Sequence, residues 1–365
     1  MTAPAVRSRP ADGVAALLRR SVSSPFDALF TALVAVVVVV IGAPLIRWAL
    51  VDSVWTGSAA DCRAAGGACW AFVGQKLAFI IFGLYPPGAR WRAGLAATAL
   101  VALVIVTALP RVWGRRLLVA WGVGLALAFW LMHGGLGLAP VSTRLWGGLP
   151  ITLMLTAVGI ALGFPLAVLL ALGRRSHHPV PRIACTAIVE VVRGIPLIAV
   201  LYVAALVVPL ALPPGAEIDK LFLAQGAVVV FAAAYLAEAV RAGLQMVPRG
   251  QRDAALALGL RGWQANRLVV LPQALRIVVP SFVSIAVGFF QDTSLVVIIG
   301  LFDLLNTARV SAQDPQWLGF HTEAFVFVGL IYFVGSTLMS QYGLWLERHL
   351  ARTKGVRPIE SPDGV

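Results

Sequence analysis

The chain has 365 residues, of which 59% are hydrophobic and 12% charged, with a mean hydropathy of +0.88. So few charges cannot cover a soluble protein of this length, and apolar runs of about 20 residues, the length a helix needs to cross about 30 Å of hydrocarbon, recur along it. A small disulfide scaffold, an intrinsically disordered chain and a nucleic-acid-binding protein are thereby excluded, and the net charge of +13 becomes a question of which loops carry it.

In chain order, apolar runs cover residues 28–50, 93–110, 117–138, 149–172, 183–212, 221–243 and 323–345. An eighth, 277–301, carries Gln291 and Asp292 at its middle and fits a span whose polar centre faces protein or water. Residues 70–86, interrupted by Gln75 and Lys76, are short for a crossing and predict an amphipathic helix lying on the outer membrane surface. The first run follows about 25 polar residues and ends without a small-residue cleavage site, so it is expected to stay as a helix rather than be removed as a signal.

Eight spans with both termini in the cytoplasm place Arg7, Arg9, Arg19, Arg20, Arg111, Arg115, Arg116, Arg174, Arg175 and Arg182 inside. Arg249, Arg252, Arg261, Arg267, Arg276, Arg348, Arg352, Lys354 and Arg357 join them, nineteen in all. Only seven, Arg63, Lys76, Arg90, Arg92, Arg144, Lys220 and Arg309, fall outside, which is the bias that orients membrane proteins. Cys62 and Cys69 share a short Gly-rich external loop, where they either close a disulfide or stay as two thiols, while Cys185 reads as ordinary packing. Gly159 and Gly163 form a small-xxx-small step of the kind that lets helices approach.

The chain has no GxxxxGK[ST] loop, no His/Cys spacing that suits a metal and no Ser/His/Asp grouping, so no catalytic or metal site is expected in it. Any nucleotide-driven work then falls to a partner. The long cytoplasmic segment 244–276 holds a different kind of element. Asp253-Ala254-Ala255 is expected to open a short helix with an acidic first turn, Gly259 to end it, and Leu271-Pro272 to fix the return to the membrane. Its smooth Ala/Leu face suits a groove on another protein.

The spacing DAA at 253–255, Gly259, Val269 and Leu271-Pro272 closely resembles the EAA motif of ABC-type import permeases, with Asp for Glu and Val for Ile as the departures. The segments EVVRGIPLIAVLYV (190–203), AYLAEAVRAGL (234–244) and FQDTSLV (290–296) are similar to the polar-amino-acid permeases of the histidine/glutamine/arginine group. Where that family commonly carries Lys, this chain has Gln291, so an ion pair with Asp292 is absent.

The resemblance implies an all-α membrane protein, with a five-helix type I importer core at 148–350 preceded by a cytoplasmic tail at 1–27 and accessory helices at 28–147, and followed by a second tail at 351–365. It implies a bacterial inner-membrane location, a second homologous permease, two ATP-binding subunits holding ATP and Mg, a periplasmic amino-acid-binding protein and an amino-acid substrate. No cofactor is expected in this chain itself. Asp253, Ala254, Ala255, Gly259, Leu271 and Pro272 are the expected coupling residues.

Carboxylates within the spans add candidates for the path. Glu190 and Arg193, like Glu238 and Arg241, are spaced to share a helix face near the cytoplasmic boundary, where they either line the path or stitch the bundle together. Gln291, Asp292, Thr293 and Ser294 lie deeper and offer groups for a zwitterionic substrate or for one another. A secondary transporter driven by an ion gradient is the alternative, with the same carboxylates relaying protons.

Overall fold

A computed structural model describes residues 24–353; Arg7, Arg9, Arg19, Arg20, Lys354 and Arg357, with most of the two expected tails, lie outside the described residues. Among these residues seven helices are long and apolar enough to cross a membrane, and a bent pair makes eight if it forms one span. The helices are α1 (Pro25–Ile46, continued by a wider turn to Val51), α2 (Ala59–Ala65), α3 (Trp70–Phe82), α4 (Arg90–Thr107) and α5 (Arg115–His133). They are followed by α6 (Gly148–Arg174), α7 (Pro179–Gly194), α8 (Leu197–Tyr202, continued to Leu210), α9 (Lys220–Met246) and α10 (Arg249–Ala257). The last four are α11 (Gly262–Ala265), α12 (Leu271–Asp292), α13 (Leu304–Ser311) and α14 (His321–Thr353).

The run expected to cross straight through at 183–212 does not. α7 and α8 meet at 106°, because Ile195 precedes Pro196 and is held extended at φ −109°, ψ 135°. The span expected at 277–301 starts earlier and ends earlier as a regular helix: α12 gives way at Thr293 to a tighter 3-10 turn that closes on Gly300 at φ +81°. Arg92, counted above as an outer-loop charge, is instead 3% exposed within α4, and it donates to the carbonyls of Leu131 and Ala139 at 2.8 Å each.

Two compact units divide the chain after Gln75. In the first, α1 buries none of its residues. Ser58 caps α2 and Asp61 answers as the reciprocal acceptor, and a disulfide joins Cys62 to Cys69. The bridged loop folds back on the end of α1 through Ala68 N–H to the Trp48 carbonyl at 2.9 Å, and Gly67 lies where a Cβ would sit 2.0 Å from the Asp52 carbonyl oxygen.

In the second unit α6 and α9 form the central pair and run parallel. A Cβ on Gly163 would sit 3.0 Å from that of Ala232, and one on Gly159 would meet Val228 at 2.7 Å, so this glycine step fits α6 tightly against α9. Leu155, Ala224, Ala233, Leu236 and Ala237 fill the contact with fully buried apolar atoms. Around the pair stand α4 and α5, the bent α7/α8, α12 and α14.

Candidate functional site

The segment between α9 and α12 is built from the turn outward. α10 runs from Arg249 to Ala257, so Asp253 lies at its middle and the acidic first turn expected at Asp253 is absent. After Leu258, Gly259 takes φ +83°, its N–H donates to the Leu256 carbonyl at 2.9 Å, and the Leu260 N–H reaches back to the Ala255 carbonyl at 3.2 Å. This is a Schellman motif, which satisfies the last carbonyls of the helix and reverses the chain. Leu258 is 85% exposed, and Asp253, Ala254 and Ala257 face outward with it, whereas Ala255 is 4% exposed and faces the rest of the chain. Ala255 therefore belongs to the inner seam of α10 and not to its outer face. The reversal at Gly259 is complete by Arg261, ahead of the return at Pro272. Pro272 stands at the first turn of α12, where a wider turn at Asn266–Val270 accommodates its missing N–H.

Where α6, α7 and α9 end together, charges converge. Arg174 donates to Glu190 at 2.7 Å and to Glu238 at 2.9 Å, Arg193 reaches Glu238 at 3.5 Å, and Arg241 pairs with Glu238. The guanidinium of Arg193 also stands 5.6 Å over the Tyr235 ring. The four residues chosen from the sequence do meet here, but Glu190 pairs with Arg174 rather than with Arg193 on its own helix. Arg174 bridges both carboxylates. In the sequence it is one more loop charge, since no signal within one helix marks a hub that three helices assemble.

The deeper polar group is arranged around the end of α12. Gln291 donates to the Ser336 hydroxyl at 3.0 Å, and Thr293 donates back to the Phe290 carbonyl at 2.8 Å. Gln291, Ser294, Leu305, Phe325 and Tyr332 line a cavity of 190 Å³. Asp292 is half-buried and has no ion pair among the described residues.

At the other end of the bundle lies a knot of backbone contacts between segments remote in sequence. Gly147 and Gly148 pair in parallel with Phe302 and Asp303, and a Cβ on Gly148 would lie 2.0 Å from the Ile81 carbonyl oxygen. The buried Asp303 carboxylate accepts from Leu305 and Asn306 N–H at 3.0 Å each, capping α13, and Thr152 accepts from Leu304 N–H at 3.1 Å. Thr307 donates to the Ile80 carbonyl at 2.7 Å. Burial pushes the Asp303 carboxyl up to about 6, against the opposing pull of the two N–H donors. The Gly-Gly pair at 147–148 and the Asp-x-x-Asn cap at 303–306 were the available signals.

Residues 159–352 match the family described as binding-protein-dependent transport system inner membrane component. The chain is 45% identical over 313 residues to the inner membrane amino-acid ABC transporter permease protein YhdY of Escherichia coli (strain K12), with 84% of each chain covered. It is 36% identical over 372 residues to the glutamate/glutamine/aspartate/asparagine transport system permease protein BztC of Rhodobacter capsulatus, covering 83% of this chain and 86% of that one. A crystal structure of an amino acid ABC transporter with histidines superposes on 55% of this chain and 90% of its own, with a TM-score of 0.49 and 27% identity. The chain belongs to the family of binding-protein-dependent transport system inner membrane components, and the ion-gradient-driven alternative gives way to it.

Proposed function

We propose that this chain is the amino-acid permease of an ATP-driven importer and that α10 with its Schellman turn is the element that docks on a separate ATPase. The observation that carries the reading is the two-sidedness of α10: Ala255 anchors one face within the chain, while Asp253, Ala254, Ala257, Leu258 and Gly259 stand free on the other, with Leu258 almost fully exposed. Leu256 and Leu258, 41% and 85% exposed beside Ala254 and Ala257, give the end of α10 an apolar edge that suits a groove in a partner. Leu271 and Pro272 act through the base of α12 that supports the turn. The similarity to permeases of amino acids supports the substrate class, and the charge bias supports cytoplasmic termini, an ATPase pair on that side and a binding protein on the other. The polar end of α12, with Gln291, Asp292, Thr293 and Ser294, serves the passage, and the Glu190, Arg193, Glu238 and Arg241 cluster serves its cytoplasmic mouth.

Replacing Leu258 by Asp tests this reading. The expected result is normal insertion and amount of the permease with loss of the co-purified ATPase, or ATP turnover that loaded binding protein no longer stimulates. Unchanged ATPase retention and stimulation overturn it. Ala255→Glu is a poor probe, since a buried charge unsettles the fold before any docking is measured.

A further inference from the structure

Between the ends of α6, α7 and α9 that the proposed topology assigns to the cytoplasm lies a cavity of 610 Å³ lined by Arg174, Arg175, Arg182, Ile183, Thr186 and Arg241. Its charges are not all answered. Glu190 and Glu238 face Arg174, Arg193 and Arg241. Arg175 donates only to a neutral group, the Leu244 carbonyl at 2.9 Å, and the Arg182 side chain has no hydrogen-bond or ion-pair partner among the described residues. Two guanidinium groups are left without a carboxylate, one on each side of the α6–α7 loop, in a recess that a fork of N–H donors suits to a phosphate. The wall between them is not polar throughout. Ile183 is 64% exposed and Val180, one turn earlier on α7, is 76% exposed, so apolar surface leads away from the charged recess. A freely diffusing anion has no use for that apolar approach, whereas a glycerophospholipid presents a phosphodiester and an apolar chain in the same order.

We infer that the cavity between α6, α7 and α9 is a binding site for the phosphate of an anionic phospholipid headgroup, held by Arg175 and Arg182. The site rests on the proposed topology, which faces it to the leaflet rich in anionic lipid, and not on the coupling role of α10. Thr186 and the neighbouring Gln245 add a hydroxyl and an amide at the rim. The bound headgroup would hold the α6–α7 loop against the end of α9, beside the ion pairs of Arg174.

The test uses the full-length chain in the complex that it forms, delipidated in detergent and titrated with phosphatidylglycerol or phosphatidylcholine, with bound lipid counted by native mass spectrometry. Phosphatidylglycerol is expected to bind in preference. Arg182→Gln, which breaks no contact of the fold, is expected to weaken it about fivefold, and Arg182→Gln with Arg175→Gln about 30-fold, at roughly one basic residue's contribution each near a charged membrane surface. Arg144→Gln, in a loop at the other end of the bundle, is expected to leave it unchanged. Equal binding of the two lipids, or parental affinity in the double variant, overturns the site. Inorganic phosphate that displaces the lipid at equal concentration also overturns it, by making the ligand a soluble anion. Labelling that places residues 174–182 outside removes the topology instead, and loss of ATPase stimulation in the Leu258 variant has no bearing on lipid counts.

Discussion

Asp303 is a carboxyl with no exposed surface, ligated by backbone N–H groups and lifted to about 6 from an ordinary 3.8. Because the folded chain holds its proton more tightly than the unfolded chain does, the group contributes stability that is complete below about pH 4 and is lost as pH rises through about 6. The loss amounts to about 3 kcal/mol, and Asp303→Asn, which keeps a capping oxygen but carries no charge, is expected to flatten that step in thermal unfolding of the detergent-solubilised chain between about pH 4 and pH 7. A step of equal size in the Asn variant would assign it to another group. Asp292 calls for a different comparison. If it lines the passage, Asp292→Asn and Asp292→Leu both lower transport while the complex assembles; normal transport in the Asn variant with failed assembly in the Leu variant would make it a structural residue. The two carboxylates are not equally visible in the sequence. Asp292 stands out inside an apolar run, whereas Asp303 follows Leu301 and Phe302 in a short connection and gains its importance only where Gly147 and Gly148, over 150 residues earlier, meet it.

Among the elements, the loop closed by Cys62 and Cys69 is held by three different devices, the disulfide, the Ser58 capping box and the Ala68 hydrogen bond to Trp48. Closing so short a loop restrains little of the unfolded chain, so Cys62→Ser with Cys69→Ser is expected to cost about 2 kcal/mol of local order and to leave transport and the amount of assembled complex near normal. Peptide mapping without reduction should find the two joined and Cys185 free; free thiols at both positions in native membranes would reject the bridge. Helices of this kind were legible in proportion to their length. A run of 20 apolar residues reports its helix from composition alone, and seven of the expected runs are long apolar helices, while that at 183–212 is a bent pair. The facing of α10 was not legible, because nine residues can turn either side inward and the choice rests on its seat against the wide turn before α12, which nothing in Asp253-Ala254-Ala255 announces. The bend between α7 and α8 was signalled by Ile195-Pro196 but was outweighed by the unbroken apolar run around it.

For the whole molecule, the charge bias makes a prediction that single residues cannot. Cysteines introduced at 111–116 and at 174–182 are expected to react only with permeant reagents in intact cells, and those at 71–90 with impermeant ones. Impermeant labelling of 111–116 would reverse the orientation and with it the side assigned to α10. The two ends of the second unit are also fastened by unlike means. One end is tied by backbone held at van der Waals distance, where Gly83, Gly147 and Gly148 leave no room for a Cβ and Asp303 and Thr307 lace three remote segments together. The other is held by side chains, with Arg174 reaching across to Glu190 and Glu238 on two neighbouring helices. Ion pairs at a wet boundary exchange partners for little free energy, while a glycine contact has no second partner to exchange with. Under the docking proposed for α10, a pull applied through it is expected to spread the helices most at the ion-paired end and to move them least where glycine contacts lace them.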